Sequence, residues 1–264
     1  MTITPFHPAL TAGRLVIITG GASGIGLAAA HRFKELGLKV CVLDRNLSSL
    51  DFEEHGFIVH EQDISDARSV NALAASLIAE HGPPAVLMNN AGIGGGGDIL
   101  GDLEAWEAVI GVNLMGMVLG LKAYLPAMLA SDQPGLIINT GSKQGITQPP
   151  GNTAYNVSKS GVKALTEGLA HTLREKAGSR ITARHDRPAY TDPTPRRVVI
   201  GASRGFHDAI AWPRRLLHPL PRQWDATRNR RETHSLDCRR HRRKSPRPVT
   251  LAPGLQGCVR RLHG

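Results

Sequence analysis

The sequence predicts an α/β domain built on a doubly wound parallel sheet, and three features of the chain support this fold class. Short apolar runs rich in β-branched residues alternate with longer amphipathic segments through residue 183. A glycine-rich turn follows the first run, and polar residues follow later runs. The length of 264 residues suits one domain with a substantial core. Alternating strands and helices form a parallel sheet covered on both faces, and such sheets bind ligands at the carboxyl ends of their strands.

The predicted strands and helices alternate in chain order. The strands are apolar runs at residues 15–19, 39–43, 57–60, 85–88 and 136–139. The helices cover residues 27–36, 66–81, 106–128 and 153–176. Gly37 ends the first helix, as glycine often does in the position after a helix. Residues 181–183 begin a sixth strand, but we expect the sheet to be incomplete at its C-terminal strands, with much of the sixth strand and a seventh strand missing.

The turn after the first strand has the spacing of a dinucleotide-binding loop. A tight turn at Gly20, a close backbone approach at Gly24 and close helix–strand packing at Gly26 are the roles that glycine has in such loops. Ser23 and Ile25 lie between these glycines, where the start of a helix presents free N–H groups to phosphates. A plain glycine turn is the alternative, but the position between a strand and a helix favours cofactor binding and the Rossmann fold.

Acidic residues at the ends of the second and third strands bear on the choice of cofactor. Asp44 closes the second strand, where a carboxylate accepts hydrogen bonds from an adenosine ribose and repels a 2′-phosphate. This favours NAD over NADP, although Arg45 beside it is a counter-argument, and a solvated strand end is the alternative for Asp44. Asp63 and Ile64 are candidates to border the adenine, with a surface acid as the alternative.

Further motifs occur in order along the chain and resemble the classical short-chain dehydrogenase/reductase family over residues 12–183. These are the run from Asn89 to Gly92, which contains Asn90 and Ala91, then Asn113, Ser142, Tyr155 and Lys159. The resemblance implies an NAD(P)-dependent oxidoreductase that acts on a small-molecule alcohol or ketone, with NAD favoured. It also implies that Asn90, Ala91 and Gly92 line the cofactor cleft.

The spacing of the tyrosine and the lysine also makes chemical sense. Tyr155 and Lys159 are four residues apart, so they share one face of a helix. Since free tyrosine has a pKa near ~10, we expect the ammonium and an oxidised nicotinamide to lower the pKa of Tyr155. By resemblance, Tyr155 exchanges a proton with the substrate oxygen and Ser142 positions that oxygen. Lys159 also holds the nicotinamide ribose, and Asn113 supports a water-mediated proton path to Lys159.

Residues 184–264 differ sharply in composition from the residues before them. Residues 1–183 hold 13 Lys and Arg against 16 Asp and Glu, whereas residues 184–264 hold 19 against 6, so the overall charge of +10 comes from the tail. The tail's basic residues are 18 Arg and one Lys, and it has 9 of the 17 prolines. A basic tail that binds nucleic acid through phosphates is one interpretation, but no binding fold is recognisable, and we expect no specific nucleic-acid partner.

An Arg-rich, aperiodic tail is typical of GC-rich DNA translated in a shifted frame. Read one base later, residues 201–207, 213–223 and 239–259 permit mixed peptides low in arginine, similar to the carboxyl end of some family members. We infer a +1 frameshift that begins between about Ala183 and Gly201. The division is then a catalytic core at residues 1–183 and an aberrant, disordered tail at 184–264. Loss of later strands predicts a poorly folded chain, and an inactive relic that binds NAD weakly or not at all is the alternative function.

Bulk features narrow the class of protein further. The three cysteines are far apart, which argues against a disulfide scaffold and a zinc site, so no metal is expected. No apolar run of membrane-spanning length and no secretory signal are recognisable, so we expect a cytoplasmic protein without a membrane partner. By resemblance, the unshifted parent is a homo-oligomer that pairs through the helices of Asn113 and Tyr155.

Overall fold

The computed structural model describes residues 7–47, 56–176 and 178–186. Its strands are β1 (Leu15–Thr19), β2 (Lys39–Asp44), β3 (Ile58–Glu61), β4 (Val86–Asn89), β5 (Gly135–Thr140) and β6 (Ile181–Asp186). Its helices are α1 (Gly24–Glu35), α2 (Ala67–His81), α3 (Leu103–Ile110), α4 (Gly116–Ala130), α5 (Gln144–Thr147) and α6 (Thr153–Glu175), and a π-helical turn covers Gly111–Met115. The predicted alternation of strands and helices is confirmed, with element ends shifted by a few residues.

The six strands form one parallel sheet in the order β3-β2-β1-β4-β5-β6. From β1 at the centre, the chain adds β2 and β3 on one side of the sheet. It then returns to the centre and adds β4, β5 and β6 on the other side. The doubly wound Rossmann topology is therefore confirmed. Between β1 and β4 the strand order reverses, and such a switch point opens a crevice at the carboxyl edge of the sheet.

An apolar layer covers each face of the sheet. Every residue of β1, β4 and β5 is therefore buried. One layer joins alternate strand residues to Ala29, Ala30 and Phe33 of α1. The other layer packs the remaining strand residues against α2, α4 and α6, with Tyr124 and Leu173 among its members. Strands buried on both faces read as continuous apolar runs, which is why they are recognisable in the sequence.

The predicted single helix at residues 106–128 is in fact three consecutive helical pieces from Leu103 to Ala130. Pro126 lies inside α4 and does not end it. By length and composition the whole segment is apolar enough to cross a membrane. However, Met117, Tyr124 and Met128 are buried in the domain, so packing against the sheet accounts for the apolar character of α4.

Strand β6 continues beyond the boundary that the sequence suggests at residue 183. It pairs with β5 through all six of its residues, ending with Thr140 opposite Asp186. The expectation that much of the sixth strand is missing is therefore wrong, because Arg184, His185 and Asp186 belong to β6. Parallel pairing uses main-chain groups, so these polar residues extend the ladder without an apolar pattern. The rest of the Arg-rich tail, including the predicted frameshift junctions after residue 186, lies outside the described residues.

A chain of buried amides crosses the centre of the domain. The Asn89 side chain donates to Asn139 Oδ1 at 2.9 Å, and the Asn139 side chain donates to Thr166 Oγ1 at 3.0 Å. Thr166 in turn donates to the carbonyl of Val162 at 2.7 Å. These hydrogen bonds connect β4, β5 and α6 just below the carboxyl edge of the sheet.

Candidate active site

The glycine turn between β1 and α1 is tightly packed at its first and last glycines. Gly20 has a φ of +65°, and a Cβ there would lie 2.6 Å from Cα of Ala91. A Cβ on Gly26 would overlap the carbonyl oxygen of Gly20. Only glycine allows these approaches, so the turn brings the start of α1 against the loop that follows β4.

The middle of the same turn is open and presents hydrogen-bond donors. Gly24 has a φ of +53° and nothing lies within 4 Å of an added Cβ. Ser23 precedes the helix in an extended conformation without capping it, and the first intrahelical bond comes from Leu27. Among the described residues, the N–H groups of Gly24, Ile25 and Gly26 therefore have no hydrogen-bond acceptor. An open cradle lined by free N–H groups at a helix start fits a dinucleotide pyrophosphate.

Asp44 is fixed at the end of β2 by two backbone donors. Its Oδ2 accepts from Ala22 in the glycine turn at 3.0 Å, and its Oδ1 accepts from Asn46 at 3.1 Å. The carboxylate is half-buried rather than solvated as a free strand end. Each oxygen keeps a further lone pair for a hydroxyl group. Arg45 beside it is exposed.

Asp63 and Ile64 follow β3 on the same edge of the sheet. Hydrogen bonds from the side chain and backbone of Ser65 lower the pKa of Asp63 below its usual range, and the charge of Arg45 acts in the same direction. The Ser65 hydroxyl donates to Asp63 Oδ1 at 2.6 Å. Ile64 is buried against Gly116, where an added Cβ would lie 2.6 Å from Ile64 Cδ1. Asp63 is thus a negatively charged, partly exposed residue next to the buried apolar side chain of Ile64.

The loop after β4 is held by a threonine at the end of β1. Thr19 Oγ1 accepts from the backbone N–H of Asn90 at 3.0 Å and of Ala91 at 3.1 Å. The Asn90 side chain donates to the carbonyl of Gly20 at 2.9 Å and accepts from Thr140 Oγ1 at 3.2 Å. Asn90 therefore connects the ends of three strands at the crevice.

Asn113 lies within the π-helical turn and is fully buried. Its side chain accepts from the N–H of Ile93 at 2.7 Å, donates to the carbonyl of Ile93 at 2.9 Å and donates to Ser158 Oγ at 3.1 Å. An inserted residue in a helix turns a side chain out of the regular pattern, and such turns occur often at functional sites. Here it turns Asn113 toward Gly92, whose added Cβ would lie 3.2 Å from Asn113 Oδ1.

Lys159 lies one helical turn after Tyr155, and its side chain is buried. Only 3% of the residue is exposed, and its Nζ donates to the carbonyl of Thr140 at 2.9 Å. Burial lowers the pKa of Lys159 to about 8. Its Nζ lies 5.7 Å from the centre of the Tyr155 ring. The ammonium is thus held between the end of β5 and the tyrosine by one backbone carbonyl.

The side chains of Tyr155 and Ser142 lie close enough for the Ser142 hydroxyl to affect the pKa of Tyr155. Burial raises the pKa of Tyr155, and the hydrogen bond from Ser142 opposes that rise without cancelling it. In the chain by itself desolvation thus dominates and the pKa of Tyr155 is raised. The expected lowering of this pKa also counts the charge of an oxidised nicotinamide. Ser142 Oγ in addition accepts from the backbone N–H of Gln144 at 3.2 Å.

The sequence-predicted residues thus gather along one edge of the sheet, and several supporting residues join them. Thr19 and Thr140 are detectable only as polar residues that end strands, and Ser158 only as a helix residue beside Lys159. The helix α5 that follows Ser142, and the contact between Gln144 and Asn152 at 3.2 Å, have no signal in the sequence. Among the described residues, no group of three or more His, Cys, Asp or Glu side chains could hold a metal ion.

Comparisons with known proteins agree with this geometry. A family model described as short chain dehydrogenase matches residues 14–205. The galactitol 2-dehydrogenase of Rhizobium johnstonii is 34% identical over 202 residues, which cover 73% of this chain and 77% of that protein. The structure of a short-chain dehydrogenase/reductase from Burkholderia phymatum in complex with NAD is 31% identical with a TM-score of 0.66, covering 82% of this chain and 75% of that one. A metagenomic short-chain oxidoreductase in complex with NADP is 31% identical with a TM-score of 0.62, covering 69% and 85% of the two chains.

Proposed function

Since this chain belongs to the short-chain dehydrogenase family, we propose that it is an NAD-linked oxidoreductase that interconverts a small alcohol and the corresponding ketone. The grouping of Ser142 and Tyr155 with the buried ammonium of Lys159, which lies 5.7 Å from the tyrosine ring, carries this proposal. The nicotinamide cofactor, when bound, accepts the hydride from the alcohol carbon or supplies it to the ketone carbon.

The proton of the substrate hydroxyl passes to or from the phenolic oxygen of Tyr155. Ser142 holds the substrate oxygen next to that phenol through its own hydroxyl group. A tyrosine with a raised pKa is rarely ionised at neutral pH, so its action as a base requires a positive charge that stabilises the phenolate. Lys159 supplies such a charge, and with a pKa of about 8 it is mostly protonated at neutral pH. Asn113 is a positioning residue that fixes Ile93 and Ser158 beside this group.

The residues that would hold the cofactor lie at the carboxyl edge of the sheet and at the starts of the helices beside it. Free N–H groups at the start of α1 would bind the pyrophosphate, and the exposed Ser23 borders the same turn. Asp63 and Ile64 would border the adenine. Asn90, Ala91 and Gly92 would line the nicotinamide half of the crevice together with Tyr155 and Lys159.

The fixed carboxylate of Asp44 supports NAD as the preferred cofactor. Both of its oxygens are held by backbone N–H groups, so the side chain cannot easily turn away from an adenosine 2′-position. A 2′-phosphate would meet this negative charge at close range, and Arg45 already acts on Asp63. We expect Asp44→Ser to lower the ratio of kcat/KM with NAD to kcat/KM with NADP by at least ~10-fold, since one charge repulsion is removed. Asp102→Ser, at an exposed position that makes no side-chain cap bond, should leave the ratio unchanged.

The site's setting supports three further proposals. The substrate is a small molecule, as the name of the galactitol 2-dehydrogenase indicates for that relative. The wide spacing of the three cysteines favours a protein that acts in a reducing cytoplasm. The unshifted parent is a homo-oligomer that pairs through the helices of Asn113 and Tyr155, which expose the apolar side chains of Leu103, Met115 and Val157. Light scattering coupled to size-exclusion chromatography would test the last proposal, and a monomer at micromolar concentration would contradict it.

The decisive experiment compares two tyrosine variants of the full chain. Tyr155→Phe removes the proposed proton-transfer hydroxyl and should lower kcat with NAD and a secondary alcohol by ~100-fold or more. Tyr124→Phe makes the same chemical change on α4, away from Ser142 and Lys159, and should leave kcat within a few-fold. NADH fluorescence should show that both variants bind cofactor. Equal activity in Tyr155→Phe and the unmodified chain would refute the proposed role, and absence of NADH binding would favour the inactive relic.

A further inference from the structure

A hydrogen-bonded pair of side-chain amides borders Ser142 and Tyr155 and has no part in the proton transfer. The Asn152 side chain donates to Gln144 Oε1 at 3.2 Å. Gln144 is two residues after Ser142, and its backbone N–H donates to the Ser142 hydroxyl at 3.2 Å. Asn152 immediately precedes α6, three residues before Tyr155. The amide pair therefore connects the two elements that carry the reactive hydroxyls.

Each amide keeps an unused polar group. Among the described residues, neither Nε2 of Gln144 nor Oδ1 of Asn152 has a hydrogen-bond partner, and Asn152 does not cap α6 with its side chain. Both side chains are half-buried. Exchanging N and O in both amides leaves the same complement, one NH2 group and one carbonyl oxygen. A free donor and a free acceptor thus lie in one amide pair that joins the segment after Ser142 to the segment before Tyr155.

Resting on the proposed function, we propose that Gln144 and Asn152 bind a second hydroxyl of the substrate, on the carbon next to the reacting carbon. A hydroxyl group both donates and accepts, so one group satisfies the free NH2 and the free carbonyl together. The substrate class is then a vicinal diol and, in the reverse direction, the corresponding α-hydroxyketone. Diol oxidation breaks one C–H bond and one O–H bond, transferring the hydride to oxidised nicotinamide and the proton through Tyr155 to solvent. The neighbouring C–OH group is unchanged.

A site built to bond a hydroxyl discriminates against an analogue that lacks it, because the site's polar groups then stay unpaired. Two neutral hydrogen bonds in a half-exposed setting predict a preference of about 10- to 100-fold in kcat/KM for the diol. The competing interpretation is that the amide pair only fixes α5 against the start of α6. In that case its removal would impair every substrate alike.

The test uses the full chain with NAD and two alcohols that share one carbon skeleton, a vicinal cyclohexanediol and cyclohexanol. We expect Gln144→Met and Asn152→Leu to lower kcat/KM for the diol at least ~10-fold, mainly by raising its KM, and to leave cyclohexanol nearly unaffected. Asn71→Leu, at an exposed position of α2, is the matched control and should change neither alcohol.

The outcomes separate this inference from the proposed function. A diol preference that both variants abolish would support the inference. Equal use of the diol and cyclohexanol by the unmodified chain would overturn the inference alone, and so would variants that lose activity on both alcohols equally. Failure to oxidise either alcohol would refute the proposed function and this inference with it.

Discussion

Replacing Lys159 with methionine should abolish activity and, at neutral pH, stabilise the fold. The ammonium is 3% exposed and has one hydrogen bond among the described residues, to the carbonyl of Thr140. Methionine has a similar length and fills the same space without a charge. The variant therefore removes a buried cation while it keeps most of the packing around α6 and β5.

The magnitude follows from the pKa of the buried amine. Burial lowers it from 10.5 to about 8, so holding the charged form in the fold costs about 3 kcal/mol at pH 7. Losing the hydrogen bond to Thr140 offsets about 1 kcal/mol of the gain. The net expectation is a stabilisation of about 2 kcal/mol, or a rise in Tm of roughly 4–8 °C for a domain of this size.

The pH dependence distinguishes this effect from a general improvement in packing. Below pH 8 the amine is protonated in both the folded and the unfolded chain, so the full cost is present. Between pH 8 and 10.5 the unfolded chain holds a proton that the folded chain lacks, so the stability of the unmodified chain rises with pH relative to the variant. The advantage of methionine should therefore disappear as the pH approaches 10.5.

Thermal and urea unfolding of the full chain from pH 6 to about 10 would measure this difference. Lys163→Met is the matched control, because Lys163 is 42% exposed on the same helix and pairs with Glu167 at 2.8 Å. It should change stability by less than ~0.5 kcal/mol at any pH. A Lys159 variant less stable than the parent at pH 7, or a difference that does not vary with pH, would refute the reasoning. Melting without a cooperative transition would instead support the prediction that the tail leaves the domain poorly folded.

Three further predictions follow from the described contacts. Asn113→Ala should destabilise the fold by about 1–2 kcal/mol, since it leaves the partly buried N–H and C=O of Ile93 without that partner; unchanged urea unfolding would contradict this. Gly26→Ala should abolish NADH binding measured by fluorescence, because its Cβ would overlap the Gly20 carbonyl, whereas Gly168→Ala, with open space around it on α6, should bind normally. Resequencing the gene across codons 175–205 should show one base more or fewer than an unshifted frame requires, and an unbroken frame would disprove the proposed shift.

The sequence predicts the sheet well because its central strands are buried on both faces. Runs such as residues 15–19 and 136–139 need no tertiary information to be recognised, and the spacing of Tyr155 and Lys159 places both on one helix face. The glycine turn can also be predicted from the sequence, because positions 20 and 26 have no room for a Cβ atom.

Features that depend on contacts between distant segments are not readable in this way. The side chain of Asn113, in the π-helical turn, bonds to the backbone of Ile93, which is twenty positions earlier and outside the helix. Strand β6 extends to Asp186 through main-chain pairing with β5, although aspartate is a poor strand former. The raised pKa of Tyr155 follows from burial, which periodicity does not quantify.

The buried amide chain of Asn89, Asn139 and Thr166 also acts as a check on strand register. Asn89 and Asn139 face each other as Cα partners of β4 and β5. A slip of one residue would place an aliphatic side chain such as Ile138 opposite Asn89 and turn every side chain to the other face of the sheet. Two side-chain amides would then be buried without hydrogen-bond partners, which would destabilise the slipped pairing by several kcal/mol. The aliphatic residues of these strands have no hydrogen bonds to lose, so they do not penalise a slip in this way. Misaligned pairings are thereby disfavoured in the two strands whose ends present Asn90 and Ser142.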